Sequence, residues 1–150
     1  MKKTIILIAI TAGFTTVGFA QKKEKDDDDN KGKRVTVPAA VKNAFAKQYP
    51  GSVAKWEKEN GKYEVELKNN GQKMSVLYEL NGSVAETEVE IKINELPAAV
   101  RSYVKTKYMA SITEASKITK ADGTVNYEAE VKKTDVLFDA NGNFLKESKE

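Results

Sequence analysis

Apolar residues at Val37, Val41, Ala44, Phe45 and Tyr49 follow the spacing i, i+4, i+7, i+8, i+12. That spacing lays them along one face of a helix. It returns at Leu96, Val100, Tyr103, Val104 and Tyr108. Pro38 and Pro97 suit a first helical turn, where a missing N–H leaves no partner wanting. Pro50 and Gly51 stop the first helix, and the second ends near 109–111. After each helix the pattern changes to alternation. Tyr63, Val65 and Leu67 point one way, against Lys62, Glu64, Glu66 and Lys68. Val89, Ile91 and Ile93 oppose Glu88, Glu90 and Lys92. Strict alternation predicts strands with one covered and one wet face. Five Asx-Gly pairs (Asn60-Gly61, Asn70-Gly71, Asn81-Gly82, Asp122-Gly123 and Asn141-Gly142) predict tight hairpins, because both residues tolerate positive φ. Strands are therefore expected at 53–59, 62–68, 73–80 and 83–92, then at 112–120, 125–132, 135–140 and 144–148.

These two sets repeat one another. Val37-Pro38-Ala39-Ala40-Val41-Lys42 matches Leu96-Pro97-Ala98-Ala99-Val100-Arg101, and Tyr49 matches Tyr108. Tyr63-Glu64-Val65-Glu66-Leu67 matches Tyr127-Glu128-Ala129-Glu130-Val131. Val76-Leu77-Tyr78-Glu79-Leu80-Asn81-Gly82 matches Val136-Leu137-Phe138-Asp139-Ala140-Asn141-Gly142. A unit of about 55 residues is marginal alone. The expected fold is α+β: two tandem helix-plus-four-strand units (35–93 and 94–150) joined in one roughly eight-stranded antiparallel sheet, with both helices on one face.

The first 34 residues do not fit that pattern. Met1-Lys2-Lys3, the apolar run Thr4 to Ile10, and the small residues of Gly18-Phe19-Ala20 form, in order, a secretory signal peptide over 1–20, cleaved before Gln21. The apolar run is too short for a spanning anchor. Residues 21–34, QKKEKDDDDNKGKR, lack any apolar group able to offset ordering entropy and read as a disordered leader. Asp26 to Asp29 do not follow the alternate ligand spacing of a calcium loop. The expected destination is the periplasm or the exterior, and no lipoprotein can form without cysteine. Cysteine and histidine are both absent, which excludes disulfides, thiolate zinc sites and the usual nucleophilic triads. Without Lys2 and Lys3 the chain has 23 basic against 22 acidic residues, and from Val35 onward 17 of each. Nucleic acid is an ill-suited partner for such a balance. No cofactor or metal is expected.

The V/L-P-A-A-V helix start, the tyrosine at its end, the Tyr63–Leu67 strand and the Val76–Gly82 hairpin resemble the PepSY-like, beta-lactamase-inhibitor-like family of small exported Bacteroidetes-type proteins. The resemblance covers roughly 35–148. It implies a helix on a four-stranded antiparallel sheet, in tandem. Beta-lactamase-inhibitory proteins grip an enzyme with such a sheet, and PepSY domains are proposed to restrain peptidases, so the implied partner is an envelope protein such as a peptidase or other enzyme. No fixed site motif carries over.

Three residues are candidate partner contacts. Trp56 is a suitable anchor if it lies on the open sheet face, though a strand tryptophan equally suits a place under a helix. Leu77 and Leu137 occupy matching positions pointing away from the helices, where they form an apolar contact patch if exposed. The tyrosines fall on covered faces and read as core. Glu64 with Glu66, and Glu128 with Glu130, pair two apart on a strand, the arrangement from which glycosidases are built. Their lysine neighbours Lys62, Lys68 and Lys132 suit cross-strand ion pairs instead, and nothing apolar is evident that would raise a pKa. The expected function is an exported, non-enzymatic binding module, protein-binding or inhibitory through the helix-free face. The alternatives are a carrier or envelope-stress protein holding an apolar ligand between helices and sheet, or a carboxylate hydrolase.

Overall fold

The computed structural model describes residues 35–149, so the expected signal peptide and leader lie outside the described residues. The chain runs α1 (Ala39–Gln48), β1 (Lys55–Glu59), β2 (Lys62–Asn69), β3 (Gln72–Tyr78) and β4 (Val84–Glu90). A 3-10 turn at Ile93–Glu95 leads into α2 (Ala98–Tyr108), β5 (Glu114–Lys120), β6 (Val125–Val131), β7 (Thr134–Asp139) and β8 (Phe144–Lys149). The eight strands form one antiparallel sheet in sequence order. The two repeats join where β4 pairs with β5, Glu86–Glu90 against Ser116–Lys120.

Each helix covers its own repeat. Under α1, Val41 and Phe45 meet Tyr63, Val65, Leu67, Val76 and Tyr78. Under α2, Val100 and Val104 meet Ala115, Ala129, Val131, Val136 and Phe138. The prolines stand one place earlier than expected, as N-caps. Their carbonyls accept the first helical N–H groups, Lys42 N to Pro38 O at 3.0 Å and Arg101 N to Pro97 O at 3.3 Å.

The Asx-Gly turns fall into two kinds. At Asn60-Gly61 and Asn70-Gly71 both residues have positive φ, as a two-residue hairpin needs. In the other three only the glycine does. There the turn is three residues long: Gly82 N donates to Glu79 O (2.9 Å) and Glu79 N to Ser83 O (2.9 Å), a type I turn closed by a glycine bulge. The β6–β7 hairpin has no Asx-Gly at all. It turns on Lys132 and Lys133, with φ of 52° and 60°.

Two of these longer turns tie sheet to helix. A Cβ placed on Gly82 would lie 2.7 Å from Ala40 O, and one on Gly142 would lie 2.8 Å from Ala99 Cβ. The repeated Ala-Ala of the helix start and the repeated Asn-Gly of the hairpin are therefore two halves of one close contact. Beside each turn the register slips, between Leu77 and Tyr78 and again between Leu137 and Phe138. Such bulges bend a strand and sharpen its twist. The sheet accordingly curls around its helix-free face. Glu59 on β1 and Lys146 on β8 influence each other's ionisation, although in a flat sheet seven strand spacings would part them by roughly 33 Å.

Candidate functional site on the helix-free face

Registered strands place like-facing residues in ladders across the sheet. One ladder runs Glu57, Glu64, Leu77, Glu86, Lys120. A second runs Glu66, Ser75, Glu88, Ile118, Asn126. A third runs Glu90, Ser116, Glu128, Leu137, Lys146, and a fourth Glu114, Glu130, Asp135, Ser148. All face away from the helices, and acids outnumber lysines among them. Glu57 stands directly opposite Glu64, and Glu114, Glu130 and Asp135 stand in line. Like charges opposed across a ladder destabilise a sheet. The helices are polarised the other way: Lys42, Lys47, Arg101, Lys105 and Lys107 are their charged residues, with no acid in either.

Curling shuts the middle of this face away from water. Glu64 is 4% exposed, Glu88 5%, and Leu77 and Leu137 0% and 2%. The two leucines thus face away from the helices as expected but are not exposed. Ile118 on the same face is buried as well, and these residues form no accessible apolar patch. Trp56 is also displaced from the open-face reading. It pairs with Val65 on the helix side, half-buried, edge-on to Phe45 with ring centres 5.3 Å apart and 6.1 Å from Tyr78. The tyrosines lie on the covered side, where Tyr78 Oη donates to Gln48 Oε1 at 3.0 Å. Burial pushes the Tyr78 phenol up to about 12.

The lysines expected to pair with the strand carboxylates mostly go elsewhere. Lys62 binds Glu79, and Lys132 donates to Tyr108 O at the end of α2 (3.0 Å). Lys55 serves Glu57 (3.2 Å) and Glu66 (3.0 Å), and Lys73 serves Glu90 at 3.5 Å. Glu64 is left with Leu77 opposite it and Ser75 alongside, the latter near enough to favour the ionised form but outside hydrogen-bonding geometry. Its Oε1 has no hydrogen-bond partner. Burial, abetted by Glu59, Glu88 and Glu66, pushes its pKa from 4.5 to about 8. Burial also raises Glu86 and Glu59. The absence of an apolar neighbour, expected from sequence, is thus corrected: Leu77 and the curl of the sheet supply the low-dielectric surroundings, while Glu57, Glu59, Glu66 and Glu90 toward the rim stay partly exposed. The alternation of Glu88 and Glu90 against Val89 and Ile91 marked them as wet-face residues but gave no sign that Glu88 is buried, and nothing in it singled out Glu86.

A separate shallow groove of about 710 Å³ lies between α2 and the β7–β8 turn, lined in part by Tyr103, Lys107, Asn143 and Phe144. Tyr103 and Phe144 stack there, 5.4 Å apart, under the Lys107 ammonium. Repeat 1 has Ala44 and Val84 at the corresponding places. Among the described residues no cluster of acids has metal-binding geometry, and no helix is long and apolar enough to cross a membrane.

A tandem α+β unit that presents one curled, acid-rich sheet face and covers the other with helices is a two-repeat scaffold. The chain belongs to the PepSY-like family: the family model described as "Putative beta-lactamase-inhibitor-like, PepSY-like" matches residues 8–86 and again 75–146. No curated protein matches it. Similar solved structures come from Bacteroides. One, from B. eggerthii, is described as a "putative periplasmic" protein (17% identity, 76% of this chain and 89% of that one, TM-score 0.62). A DUF2874 family protein of B. uniformis shares 18% identity over 74% and 88%, with TM-score 0.59. A BLIP-like protein of B. fragilis shares 23% over 80% and 91%, with TM-score 0.56. At these identities the likeness is one of fold.

Proposed function

We propose that the mature chain is an exported, non-catalytic binding module that holds a protein partner of the cell envelope on its helix-free face, in the manner of an inhibitor. One observation carries this reading. The sheet sets acidic residue opposite acidic residue, Glu57 to Glu64 and Glu114 to Glu130 to Asp135, on a chain whose folded part has as many basic residues as acidic ones. A sequence selected for stability alone would set a lysine opposite each of these acids, as it does with Lys120 opposite Glu86. Local choices that work against the fold concentrate where function demands them. Segregated charge also steers an oppositely charged partner to one side of the molecule. The family match and the amino-terminal sequence support the inhibitor-like class and the export.

Site-specific photo-cross-linking in cells tests the reading. A benzoyl-phenylalanine in place of Lys73 or Glu90, on the helix-free face, is expected to give a discrete cross-linked protein. The same group in place of Lys105 or Lys117, on the helix side, is expected to give none. Equal yields from both faces, or none from either, would count against it.

A further inference from the structure

Resting on the reading of the helix-free face as the binding surface, we propose that Glu59 and Glu64 together form the receptor for one basic side chain, a lysine ammonium or arginine guanidinium, of the protein partner. Glu59 closes β1 at the rim beside the Asn60-Gly61 turn, and Glu64 lies one step further in on β2. Each holds a buried carboxylate oxygen, Glu59 Oε2 and Glu64 Oε1, that has no hydrogen-bond partner. Glu64 is more than nine-tenths buried, and a buried acceptor left unmatched is a standing penalty that a donor from outside would remove. The neighbouring lysines do not remove it. Lys62, opposite Glu59, turns to Glu79, and Lys55 is engaged by Glu57 and Glu66. Among the described residues Lys146 on β8 partly offsets the rise at Glu59. The corresponding place in the second repeat to Glu59 is Ile118, facing Asn126, so the receptor belongs to the first repeat alone.

The groups facing Glu64 fix how binding responds to pH. They are Glu57 and Glu59 on β1, Glu66 on its own strand, Ser75 and Leu77 on β3, and Glu86 and Glu88 on β4. No lysine ion-pairs with it among the described contacts. A guest cation therefore draws off the proton that Glu64 holds when the site is vacant, and binding should tighten as pH rises toward about 8.

The experiment is calorimetric titration with acetyl-triarginine amide, with the citrulline peptide as its neutral counterpart. The intact mature chain is expected to bind the arginine peptide one to one and to ignore the citrulline one. The Glu59→Gln/Glu64→Gln chain should bind at least about tenfold more weakly. Glu90→Gln, which removes one acid from the same face away from the pair, should stay within about twofold. Affinity should rise from about pH 6 to pH 8 in the parent and rise less in Glu64→Gln, where only Glu59 of the pair is left to shed a proton, a readout that mere loss of surface charge would not move. No binding, equal weakening in Glu90→Gln, or an unchanged pH slope in Glu64→Gln overturns the proposal. Any of these leaves the cross-linking result on the helix-free face standing by itself, so the two failures are distinguishable.

Discussion

Replacing Glu64 by glutamine should stabilise the protein, and only above acid pH. The carboxyl is buried opposite Leu77 and titrates near 8 rather than at 4.5. Because the folded value lies above the unfolded one, the folded chain keeps a proton that the unfolded chain surrenders between those two values. Stability therefore falls as pH rises from about 5 to about 8 and levels off beyond. Glu59 and Glu86, shifted the same way, add to the slope. The depressed acids Asp122, Asp139 and Glu147 act in the opposite sense, but below the ordinary carboxylate range, outside this window. At roughly 1.4 kcal/mol per unit, ionising Glu64 costs the fold on the order of a few kcal/mol at pH 8.5. Glutamine keeps the shape and cannot ionise, but its buried amide leaves some polar valence unmet, at about 1–3 kcal/mol. The net expectation is a gain of about 1–2 kcal/mol at pH 8.5 and no gain at pH 5. Urea unfolding of both chains at the two pH values measures it. A parent chain more stable at pH 8.5 than at pH 5, or a glutamine variant no better than the parent at pH 8.5, would refute the reasoning.

Further outcomes follow from the packing. Gly82→Ala should cost about 2–4 kcal/mol, since positive φ and the Ala40 carbonyl both resist a Cβ; Gly123→Ala, with equal φ and open space, should cost about 1. Lys133→Gly relieves a non-glycine at φ 60° and should raise the unfolding free energy measured in urea by about 1 kcal/mol, while leaving the Lys132 bond to Tyr108 in place. Leu137→Ala should lose about 2–4 kcal/mol by differential scanning calorimetry, as a buried residue would and an exposed contact would not. Trp56→Phe should lower stability modestly and leave cross-linking from the helix-free face unchanged, since Trp56 packs on the other side.

Much of the architecture was written in periodicities. Helix spacing, alternation and the Asn-Gly turns located all eight strands to within two residues at every end, because each signal is local. The Lys132-Lys133 hairpin carried no such signal, as its left-handed residues are held there by the ladder on either side and not by their own preference. Alternation also gave the face of Leu77, Leu137 and Glu64 correctly. What it could not give was curvature, which bulges beside Tyr78 and Phe138 sharpen and which decides how much of a helix-free face water reaches. The candidate site was therefore only half legible: its residues were visible, but their burial and the unmatched oxygens of Glu59 and Glu64 were not. Trp56 was ambiguous because a single tryptophan suits either side of a strand, and pairing with Val65 decided it.

The most direct test of the whole account is methyl NMR of the labelled chain with the envelope protein recovered by cross-linking. Leu77 and Leu137 report from within the helix-free face, Val41 and Val104 from beneath the helices. The leucine methyl resonances should shift on complex formation while the valine ones hold. Shifts confined to Val41 and Val104 would place the partner on the helix side and contradict the account.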